Sequence, residues 1–507
     1  MWPNNPQKEF EKLLKIVEKN QTIEGNLNKK EALDDLEMLR LAYDYAFEAH
    51  RHQTRVSGEP YIIHPLATAQ KLAETKLDIT TIIAGLLHDV PEDTDRTLED
   101  VEKNFGPEIA KLVGGITKLG QLKYRGMERY AENLRKMFVA MSEDIRVIFI
   151  KFADRLHNLK TLDALPPEKR LRIAKETLEI YAPIADRLSM GSIKGELEDL
   201  AFKYVYPEDY KWINKFLPKE YRIKEKYLKK IKEEVIKKLS QSEIKPKELS
   251  LQGRTKHLYS LYKKLLRPEI NRDLSKVYDL IALRLIVPTI SDCYGVLGIL
   301  HSMYRPMPGR IKDYIANPKP NGYQSLHTTV FTDDGEIIEF QIRTQEMHEA
   351  AEYGIAAHWN YKETGGQLNS QNLKWINELL EWQKQIKDNN QFLQTIKFDI
   401  FQNRIFVFTP KGDVIDLPEG ATPIDFAYHV HSNLGNKCTG AKINNQLVNL
   451  SYQLKSGDIV EIIIDKNRKT PNPDWLEIAK TSVAKSKIRA ALNRYKNNLN
   501  FLKILKK

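Results

Sequence analysis

The hydrophobic pattern of the chain changes near residue 246, and this change limits the folds that it can adopt. Between residues 31 and 200 apolar side chains recur at helical spacing, as Leu36, Leu39 and Tyr43 do in the first segment. No part of that stretch alternates apolar and polar residues for long enough to build a sheet. After residue 246 short β-rich runs alternate with helical ones, which is typical of an α/β domain. The pattern therefore predicts an all-α domain followed by an α/β domain.

Turn signals and composition divide the rest of the chain. The 507 residues are enough for about three or four domains. The runs RIFVF and VIDLP flank PKGD, which predicts a β-hairpin in a β-rich module. The predicted segments are a lead segment at 1–30, the all-α domain at 31–200, a lysine-rich helical connector at 201–245, the α/β domain at 246–365, a helical linker at 366–400, the β-rich module at 401–465 and the start of a helical region at 466–507.

Composition excludes several classes of protein. The two cysteines, Cys293 and Cys438, cannot build a disulfide scaffold or a thiolate zinc site from this chain alone. No apolar run approaches the ~18 residues of a membrane span, and the first residues lack the apolar region of a secretory signal. We therefore expect a cytoplasmic protein that does not bind membranes. Its net charge of 79 − 68 = +11 favours polyanionic partners such as nucleotides or nucleic acid.

Histidine and aspartate recur in the helical region in a pattern that predicts a metal site. His64 lies in YIIHP, the pair His88-Asp89 in GLLHDVPEDT, and Asp154 in KFADRLHNLKT. Two imidazoles and two carboxylates suit manganese, iron or zinc, with positions left open for water. Glu92 and Asp93 follow the pair by about one turn, where they can orient that water or move protons. Any one of these residues alone is more often structural, but the four together favour a metal site, and the pattern resembles that of the HD phosphohydrolase superfamily.

Basic side chains in the α/β region form a second pattern, which predicts a nucleotide site. Asp279 and Glu339 lie at or within predicted strands and can hold magnesium between phosphates. Tyr323 follows an Asn-Gly turn and can stack on a base. The remaining candidates lie in GRTKHLYSLYKK and in the glycine- and proline-rich segment 308–328, and include Arg254, Lys256, Ser260, Lys264, Arg310, Lys312, Lys319, Asn321 and His327. Arginine and lysine in such turns can grip phosphate oxygens, although His257 and Lys263 also fit packing and solvated positions.

These motifs closely resemble the RelA/SpoT homologue family. YIIHP, HDVPEDT and KFADRLHNLKT resemble its hydrolase domain; GRTKHLYSLYKK, YDLIALRLIV, MPGRIKDYIANPKPNGYQSLHTTVF and EFQIRTQEMHEAAEYGIAAHW resemble its synthetase domain. FVFTPKGDVIDLPEGATPIDFAYHVHSNLGNKCTGAKINN resembles its TGS domain. The resemblance implies an all-α HD-type hydrolase domain, an α/β nucleotidyltransferase-like synthetase domain and a small β-rich β-grasp TGS domain. It extends over about residues 35 to 490.

The resemblance also implies two activities and their residues. The synthetase would move pyrophosphate from ATP to the 3′-oxygen of GDP or GTP, and the hydrolase would remove it from the product, (p)ppGpp. In the hydrolase, His64, His88, Asp89 and Asp154 would bind Mn²⁺, Glu92 and Asp93 would activate water, and Arg55, Arg155 and Asn158 would hold the nucleotide. In the synthetase, Asp279 and Glu339 would bind Mg²⁺, and Glu339 would activate the 3′-hydroxyl. Arg254, Lys256 and Lys264 would face ATP, Lys312 and Lys319 the phosphates, Tyr323 the guanine, and His327 the phosphates of the guanosine nucleotide.

The TGS-like module adds a second class of partner. His431 matches the family position that lies near the CCA end of uncharged tRNA, so the resemblance implies tRNA and ribosome as partners. The further helical, zinc-finger-like and ACT domains usual in the family are not expected in this chain. The basic form Arg310-Ile311-Lys312-Asp313 is similar to that of bifunctional members.

Two departures leave alternatives open. Val56 stands where the family usually has lysine, which would weaken alarmone binding, and Pro91 stands where an aliphatic residue is usual and predicts a helix start. One alternative is a ribosome- or tRNA-binding regulator whose catalytic sites are weakened; another keeps the hydrolase alone. The complete metal quartet and both synthetase carboxylates favour the enzyme with two activities.

Overall fold

The computed structural model describes residues 5–24, 29–120, 126–242, 250–277, 279–319, 321–357, 404–468 and 470–505. The chain forms two compact units, Met1–Gln385 and Ile386–Lys507. The predicted linker at 366–400 lies outside the described residues, as does the side chain of Arg254. None of the described helices is both long and apolar enough to cross a bilayer.

The first part of the chain is helical, as its hydrophobic pattern predicts. Its helices are α1 (Pro6–Glu24), α2 (Lys29–Ala49), α3 (Ile63–Glu74), α4 (Ile79–Leu87), α5 (Val90–Asp93), α6 (Leu98–Phe105), α7 (Pro107–Gly120), α8 (Gly126–Glu143), α9 (Arg146–Lys160), α10 (Pro167–Glu176), α11 (Ala182–Arg187) and α12 (Gly191–Val205), with a 3-10 turn at Leu162–Ala164 and a π-helical turn at Thr177–Tyr181. Local chemistry sets several boundaries: Asp78 caps α4 by accepting from the Thr81 amide at 2.9 Å. Pro91 lies in the first turn of α5, as predicted.

Helix α3 lies at the centre of this bundle and packs against α1, α4 and α9. Leu66 and Ala69 on α3 are fully buried. Gly85 lets α4 approach α3 closely, because a Cβ at that position would lie 2.3 Å from Leu72 Cδ1. Helix α1, in the segment that the sequence set apart as a lead, buries Leu13 completely and belongs to the same core.

The α/β part is a mixed sheet of six strands. They are β1 (Ser250–Thr255), β2 (Ile281–Val287), β3 (Arg305–Pro306), β4 (Lys312–Asp313), β5 (Leu326–Phe331) and β6 (Ile337–Thr344). The order is β1-β2-β6-β5-β3, with β4 also paired to β5; β2 and β6 are parallel and the other pairs antiparallel. The helices of this part are α13 (Pro207–Leu239), α14 (Leu258–Leu265), α15 (Ile290–Met303) and α16 (Gln345–Tyr353).

Helix α13, within the predicted connector, is part of the core of the α/β region. Ile231 and Val235 pack with Leu285 and Phe340 of the sheet, and Leu217 packs with residues of α14. An amphipathic helix of this length buries its apolar stripe wherever a sheet face is open to it. Its side chains therefore do more than join two domains.

The second unit is β-rich, as predicted, and includes the expected hairpin. Its elements are β7 (Arg404–Phe408), β8 (Val414–Pro418), α17 (Pro423–Val430), α18 (Ser432–Lys437), β9 (Cys438–Ile443), β10 (Gln446–Val448), β11 (Val460–Ile464), α19 (Trp475–Ile478) and α20 (Ser482–Leu505). Strands β7 and β8 pair antiparallel, and β10, β9 and β11 form a second small sheet. Asp425 is buried and accepts from the Lys480 and Thr481 amides, which fixes the start of the C-terminal helical region.

A glycine joins the helical and α/β parts of the first unit and gives a stability prediction. Gly354 ends α16 at φ 59° and ψ −134°, and a Cβ there would lie 2.1 Å from the Leu188 carbonyl oxygen. We expect Gly354→Ala to lower the free energy of unfolding by about 2–3 kcal/mol, because alanine is strained in this conformation and the neighbour is backbone. Urea unfolding followed by circular dichroism measures the change.

Gly298 is the matched control. It lies within α15, is exposed, and has no heavy atom within 4 Å of an added Cβ. Gly298→Ala should stabilise the protein by about 0.5–1 kcal/mol. Equal stability of the two variants would contradict the packing described for Gly354.

Candidate active sites

Three helices bring the predicted metal ligands together. His64 lies in the first turn of α3, His88 and Asp89 follow α4, and Asp154 lies within α9. One ligand atom from each of His64, His88 and Asp154 lies within 4.8 Å of the others. Asp89 joins them, with its Oδ1 3.1 Å from His88 Nε2 and its Oδ2 3.3 Å from His64 Nε2. The four side chains that sequence analysis singled out therefore form one buried cluster.

The protonation of the cluster fits a divalent metal ion. His88 Nδ1 donates to the Gly85 carbonyl at 2.7 Å, so its Nε2 is left with a lone pair. That Nε2 is buried and makes no well-aligned hydrogen bond among the described residues, although Asp89 Oδ1 lies 3.1 Å from it. Burial alone would raise the pKa of Asp154, but Lys151, His64 and His88 outweigh it and hold that pKa well below its usual value. Buried imidazole nitrogen and charged carboxylate oxygen are the donor set that manganese, iron and zinc accept.

Glu92 and Asp93 lie beside the cluster on α5. Desolvation is the main cause that raises the pKa of Glu92 to about 7; Lys151 opposes the shift, and Asp89 and Asp93 add to it. A carboxyl group with such a pKa can accept and return a proton near neutral pH. Asp93 is held by the hydroxyl of Tyr61, which also lies 3.0 Å from Asp89 Oδ2.

Sequence analysis missed Tyr61 and His157 near this cluster. Tyr61 precedes His64 by three residues, one helical turn, and its ring stacks on His50 with centroids 4.6 Å apart. His157 Nδ1 lies 2.8 Å from His64 Nδ1, and burial is the main cause that lowers the pKa of His157 to about 2. The spacing of His157 three residues after Asp154 on a helix was the signal that pointed to the same face.

The predicted nucleotide residues of this domain lie in different surroundings. Arg55 Nη2 donates to Asn158 Oδ1 at 2.6 Å, so both reach the edge of the cluster. Arg155 instead donates to Glu176 at 3.2 Å and lies 4.2 Å from the ring centroid of Tyr181. Its guanidinium already has partners in the helical core, and its contact with a nucleotide stays a prediction. Val56, the departure from the family pattern, is 78% exposed.

The second site lies at one end of the central strands β2 and β6 of the mixed sheet. Glu339 on β6 pairs in register with Ala282 on β2, and Asp279 precedes β2 by two residues. Asp279 accepts from both Lys256 and Lys264 at 2.6 Å. Burial opposes its ionisation, but these two lysines lower the pKa of Asp279 to about 2. A cavity of about 170 Å³ lies beside Asp279, and Ser260 and Gln341 are among the other residues that line it.

Glu339 belongs to a chain of polar contacts. Gln341 Nε2 donates to Glu339 Oε1 at 2.9 Å, and His327 Nδ1 lies 3.3 Å from the same oxygen. The other ring nitrogen of His327 lies 2.8 Å from the Tyr323 hydroxyl. Burial alone would raise the pKa of Glu339, but the contacts with His327 and Gln341 lower it overall. Glu339 is therefore ionised at neutral pH and close to the predicted guanine-binding tyrosine.

The turn between β4 and β5 brings together basic and aromatic groups. Lys319 Nζ lies 4.7 Å from the ring centroid of Tyr314 and 4.8 Å from that of Tyr323. Burial, followed by Lys312, lowers the pKa of Lys319. Asn321 Oδ1 accepts from the Tyr323 amide at 3.3 Å, while Arg310 and Lys312 are exposed. The segment 308–328 therefore contains Arg310, Lys312 and Lys319, whose side-chain types can bind phosphate oxygens.

Part of the segment predicted to face ATP, GRTKHLYSLYKK, contacts helix α12 of the bundle. His257 Nδ1 lies 2.8 Å from Asp199 Oδ2. Ser260 and Lys263 donate to Glu198, at 3.3 and 2.8 Å. Sequence analysis left packing and solvated roles open for His257 and Lys263; both have carboxylate partners that the sequence did not reveal.

His431 lies in the second unit, at the start of α18. It is exposed, and its Nδ1 accepts from the Asn433 amide at 3.1 Å, which caps the helix. The Nδ1 atom of His431 is therefore occupied by a backbone amide.

The chain combines a helical domain containing a buried His/Asp cluster, a mixed-sheet domain with two carboxylates among basic side chains, and a β-rich module. Family models match each part: the HD domain over residues 42–191, the region found in RelA / SpoT proteins over 253–366, and the TGS domain over 405–464. The chain belongs to the RelA/SpoT homologue family. These matches confirm the predicted fold class, while the residue boundaries of the predicted segments stay predictions.

Curated relatives show similarity over most of the chain. A guanosine-3′,5′-bis(diphosphate) 3′-pyrophosphohydrolase of Aquifex aeolicus is 50% identical over 90% of this chain and 65% of its own length. A GTP pyrophosphokinase of Myxococcus xanthus is 48% identical over 91% and 61%. The bifunctional (p)ppGpp synthase/hydrolase SpoT of Escherichia coli K12 is 47% identical over 92% and 66%. The chain thus spans less than two thirds of the length of these relatives.

The buried cluster gives a prediction about metal-linked stability. Manganese chloride should raise the unfolding temperature, because an ion that binds only the folded state adds about 2.7 kcal/mol at a hundredfold excess over its dissociation constant. Asp154→Asn keeps the shape but loses the charge, so most of the increase should disappear. Thermal unfolding with and without manganese measures this.

Asp163→Asn is the matched control, since Asp163 is an exposed carboxylate paired with Lys203 at 3.2 Å. It should keep the full manganese effect. An equal effect in the Asp154 and Asp163 variants would argue against the cluster as the metal site.

Proposed function

We propose that this chain is an alarmone enzyme with two opposing activities. The α/β domain transfers the β,γ-pyrophosphate of ATP to the 3′-oxygen of GDP or GTP, which gives AMP and (p)ppGpp. The helical domain adds water to (p)ppGpp and releases pyrophosphate and GDP or GTP. The observation that supports this most is that one compact unit contains both sets of side chains. These are the His/Asp cluster in the bundle, and Asp279 with Glu339 at the ends of β2 and β6.

In the hydrolase, His64, His88, Asp89 and Asp154 would hold Mn²⁺. When bound, the ion would lower the pKa of a water molecule and so make it a nucleophile at neutral pH. Glu92, with its pKa near 7, would take a proton from that water and return it to the leaving 3′-oxygen. Asp93, fixed by Tyr61, would orient the water, and Arg55, Arg155 and Asn158 would hold the nucleotide.

In the synthetase, Asp279 and Glu339 would hold Mg²⁺, which would shield the charge of the ATP phosphates. The ionised Glu339 would accept the proton of the ribose 3′-hydroxyl as its oxygen attacks the β-phosphorus. In the structure Lys256 and Lys264 form ion pairs with Asp279. If Asp279 instead held magnesium, the two lysines would donate to phosphate oxygens of ATP. The transferred group thus enters a site that already contains its counter-charges.

The remaining site residues would position the two nucleotides. Tyr323 would stack on guanine, and His327 would contact the phosphates of the guanosine nucleotide. The others would contact ATP or its phosphates, namely Arg254, Ser260, Arg310, Lys312, Lys319 and Asn321. The basic turn around Lys319 supports this assignment.

We further propose that the TGS domain contacts uncharged tRNA through His431, and the ribosome with it. The ring of His431 is exposed, and one edge remains for stacking or hydrogen bonding beyond its capping contact. The rival function is a tRNA-binding regulator with weakened catalytic sites. Incubation with ATP plus GDP, and separately with ppGpp plus manganese, distinguishes them, since the regulator would give no product in at least one assay.

Removing one metal ligand should separate the two activities. Asp89→Ala deletes an anionic ligand between His64 and His88, so hydrolysis of ppGpp should fall below detection while synthesis stays measurable. Chromatography of labelled nucleotides follows both reactions. Hydrolysis at the parental rate would refute the metal assignment.

Glu339→Gln makes the converse test. The amide keeps the shape but cannot accept the proton, so synthesis should fall at least ~100-fold while hydrolysis is nearly unchanged. His301→Gln is the matched control, because His301 contacts Thr328 on β5 rather than either carboxylate. Gln341→Glu would not serve as a control, because it adds a charge. Loss of both activities in Glu339→Gln would indicate misfolding or one shared site.

Tyr323 should determine affinity for GDP through its ring. Tyr323→Phe keeps the stacking surface and loses only the 2.8 Å contact with His327, so the KM for GDP should change little. Tyr323→Ala should raise that KM by the equivalent of roughly 1–3 kcal/mol. An unchanged KM in the alanine variant would leave the tyrosine with a packing role.

A further inference from the structure

Arg55 has contacts that a nucleotide-binding arginine does not need. Its Nη1 lies 3.0 Å from His157 Nδ1, and its Nη2 donates to Asn158 Oδ1 at 2.6 Å. Neither partner is a predicted metal ligand, but each touches one. His157 Nδ1 lies 2.8 Å from His64 Nδ1, and Asn158 Nδ2 donates to Asp154 Oδ1. The Arg55 guanidinium is therefore connected to two predicted metal ligands, His64 and Asp154, each through one intervening side chain.

The chemistry of the guanidinium determines the hydrogen bonds along the first path. A guanidinium has only donors, so His157 Nδ1 must be an acceptor. The His64 nitrogen that faces it must then be the N–H, because two bare nitrogens at 2.8 Å would repel each other. A neutral imidazole has one N–H, so His64 Nε2 keeps its lone pair. That Nε2 faces Asp89 and Asp154, each at 3.3 Å.

The second path is determined by the same property. Because Arg55 can only donate, the oxygen of the Asn158 amide faces it and the nitrogen faces Asp154. Asp154 Oδ1 therefore receives a hydrogen bond from Asn158, while its Oδ2 accepts from Lys151 at 2.7 Å. Both oxygens are held in place before any ion binds.

We propose that Arg55 is a positioning residue for the metal centre, which it organises through His157 and Asn158. It fixes the His64 tautomer that can bind a cation, and it fixes the orientation of Asp154. This role rests on the proposed hydrolase function and is separate from any contact of Arg55 with the nucleotide. Groups that orient metal ligands typically change metal affinity by 10–100-fold when removed.

Manganese binding in the absence of nucleotide tests this role, because no substrate contact contributes. We would measure the dissociation constant by calorimetry for the parent and for Arg55→Met. The expected result is binding weakened by about 10–100-fold. Simple electrostatics predicts the opposite sign, since loss of a nearby positive charge favours a bound cation. The direction of the change therefore separates positioning from charge.

Arg51→Met is the matched control for charge. Arg51 lies four residues earlier in the same segment, is 60% exposed at its side chain and pairs only on the surface with Glu48 at 3.3 Å among its described contacts. It should bind manganese as the parent does, or slightly more tightly. Urea unfolding of each variant confirms that the fold is kept.

Two substitutions of His157 test the path itself. His157→Asn places an amide oxygen near the position of Nδ1, so it retains the acceptor and should bind manganese within about threefold of the parent. His157→Leu removes the acceptor and should weaken binding as Arg55→Met does, by about 10–100-fold. If His157→Leu does not fold, the comparison of Arg55→Met with Arg51→Met still decides.

The outcomes distinguish this inference from the function on which it rests. Parental manganese affinity, or tighter binding, in Arg55→Met would overturn the positioning role and leave the hydrolase assignment intact. A parent that binds no manganese would overturn the metal centre and the inference with it. Weak manganese binding in Arg55→Met, with normal binding in Arg51→Met and His157→Asn, is the result that the geometry demands.

Discussion

The close approach of α3 and α4 at Gly85 is the contact on which the buried His/Asp cluster depends. A Cβ at residue 85 would lie 2.3 Å from Leu72 Cδ1, so either the buried Leu72 side chain or α4 would have to move, and His88 directly follows α4. The same glycine supplies the carbonyl that accepts from His88 Nδ1 and so exposes Nε2 to the cluster. One residue thus sets the distance between two helices and the protonation of a ligand. The close helix–helix contact that this glycine permits therefore also helps to position a predicted metal ligand, His88.

The two sites solve the problem of buried charge differently. In the bundle, carboxylates face imidazoles whose nitrogens are oriented by further hydrogen bonds, so a cation completes the arrangement. In the α/β domain, Asp279 is neutralised by Lys256 and Lys264, each at 2.6 Å. An unpaired buried carboxylate would cost several kcal/mol, so the lysines stabilise the domain without ligand. In the proposed synthetase reaction, the same lysines would already lie where phosphate oxygens bind, so ATP would replace Asp279 as their partner.

The sequence predicts which side chains form the central clusters better than it predicts which side chains contact them. His64, His88, Asp89 and Asp154 stand out because their residue types are unusual in a helical core and their motifs are specific. Periodicity also predicts the helical region and the hairpin of β7 and β8. His157, Tyr61, Glu198 and Asp199 were not recognised, because their partners lie on distant segments and only packing determines which side chains meet. The role of α13 was underestimated for the same reason: a lysine-rich pattern predicts a helix, but the face that Val235 buries depends on the sheet beside it.

Helix α12 links the two centres more directly than the segment between the domains does. Along one side it packs against α9, which contains Asp154 and Asn158, and along another it packs against α14 and α16. Glu198 is buried on α12 and accepts from Lys263, while the neighbouring Asp199 binds His257 and the Tyr259 amide. Gly195 allows the His257 ring to approach, since a Cβ there would lie 2.1 Å from its Nε2. Packed helices shift as units rather than deform continuously. A displacement of α12 would therefore alter the support of Asp154 and the support of the segment predicted to face ATP at the same time, and α13, which contacts both α12 and α14, would move with it.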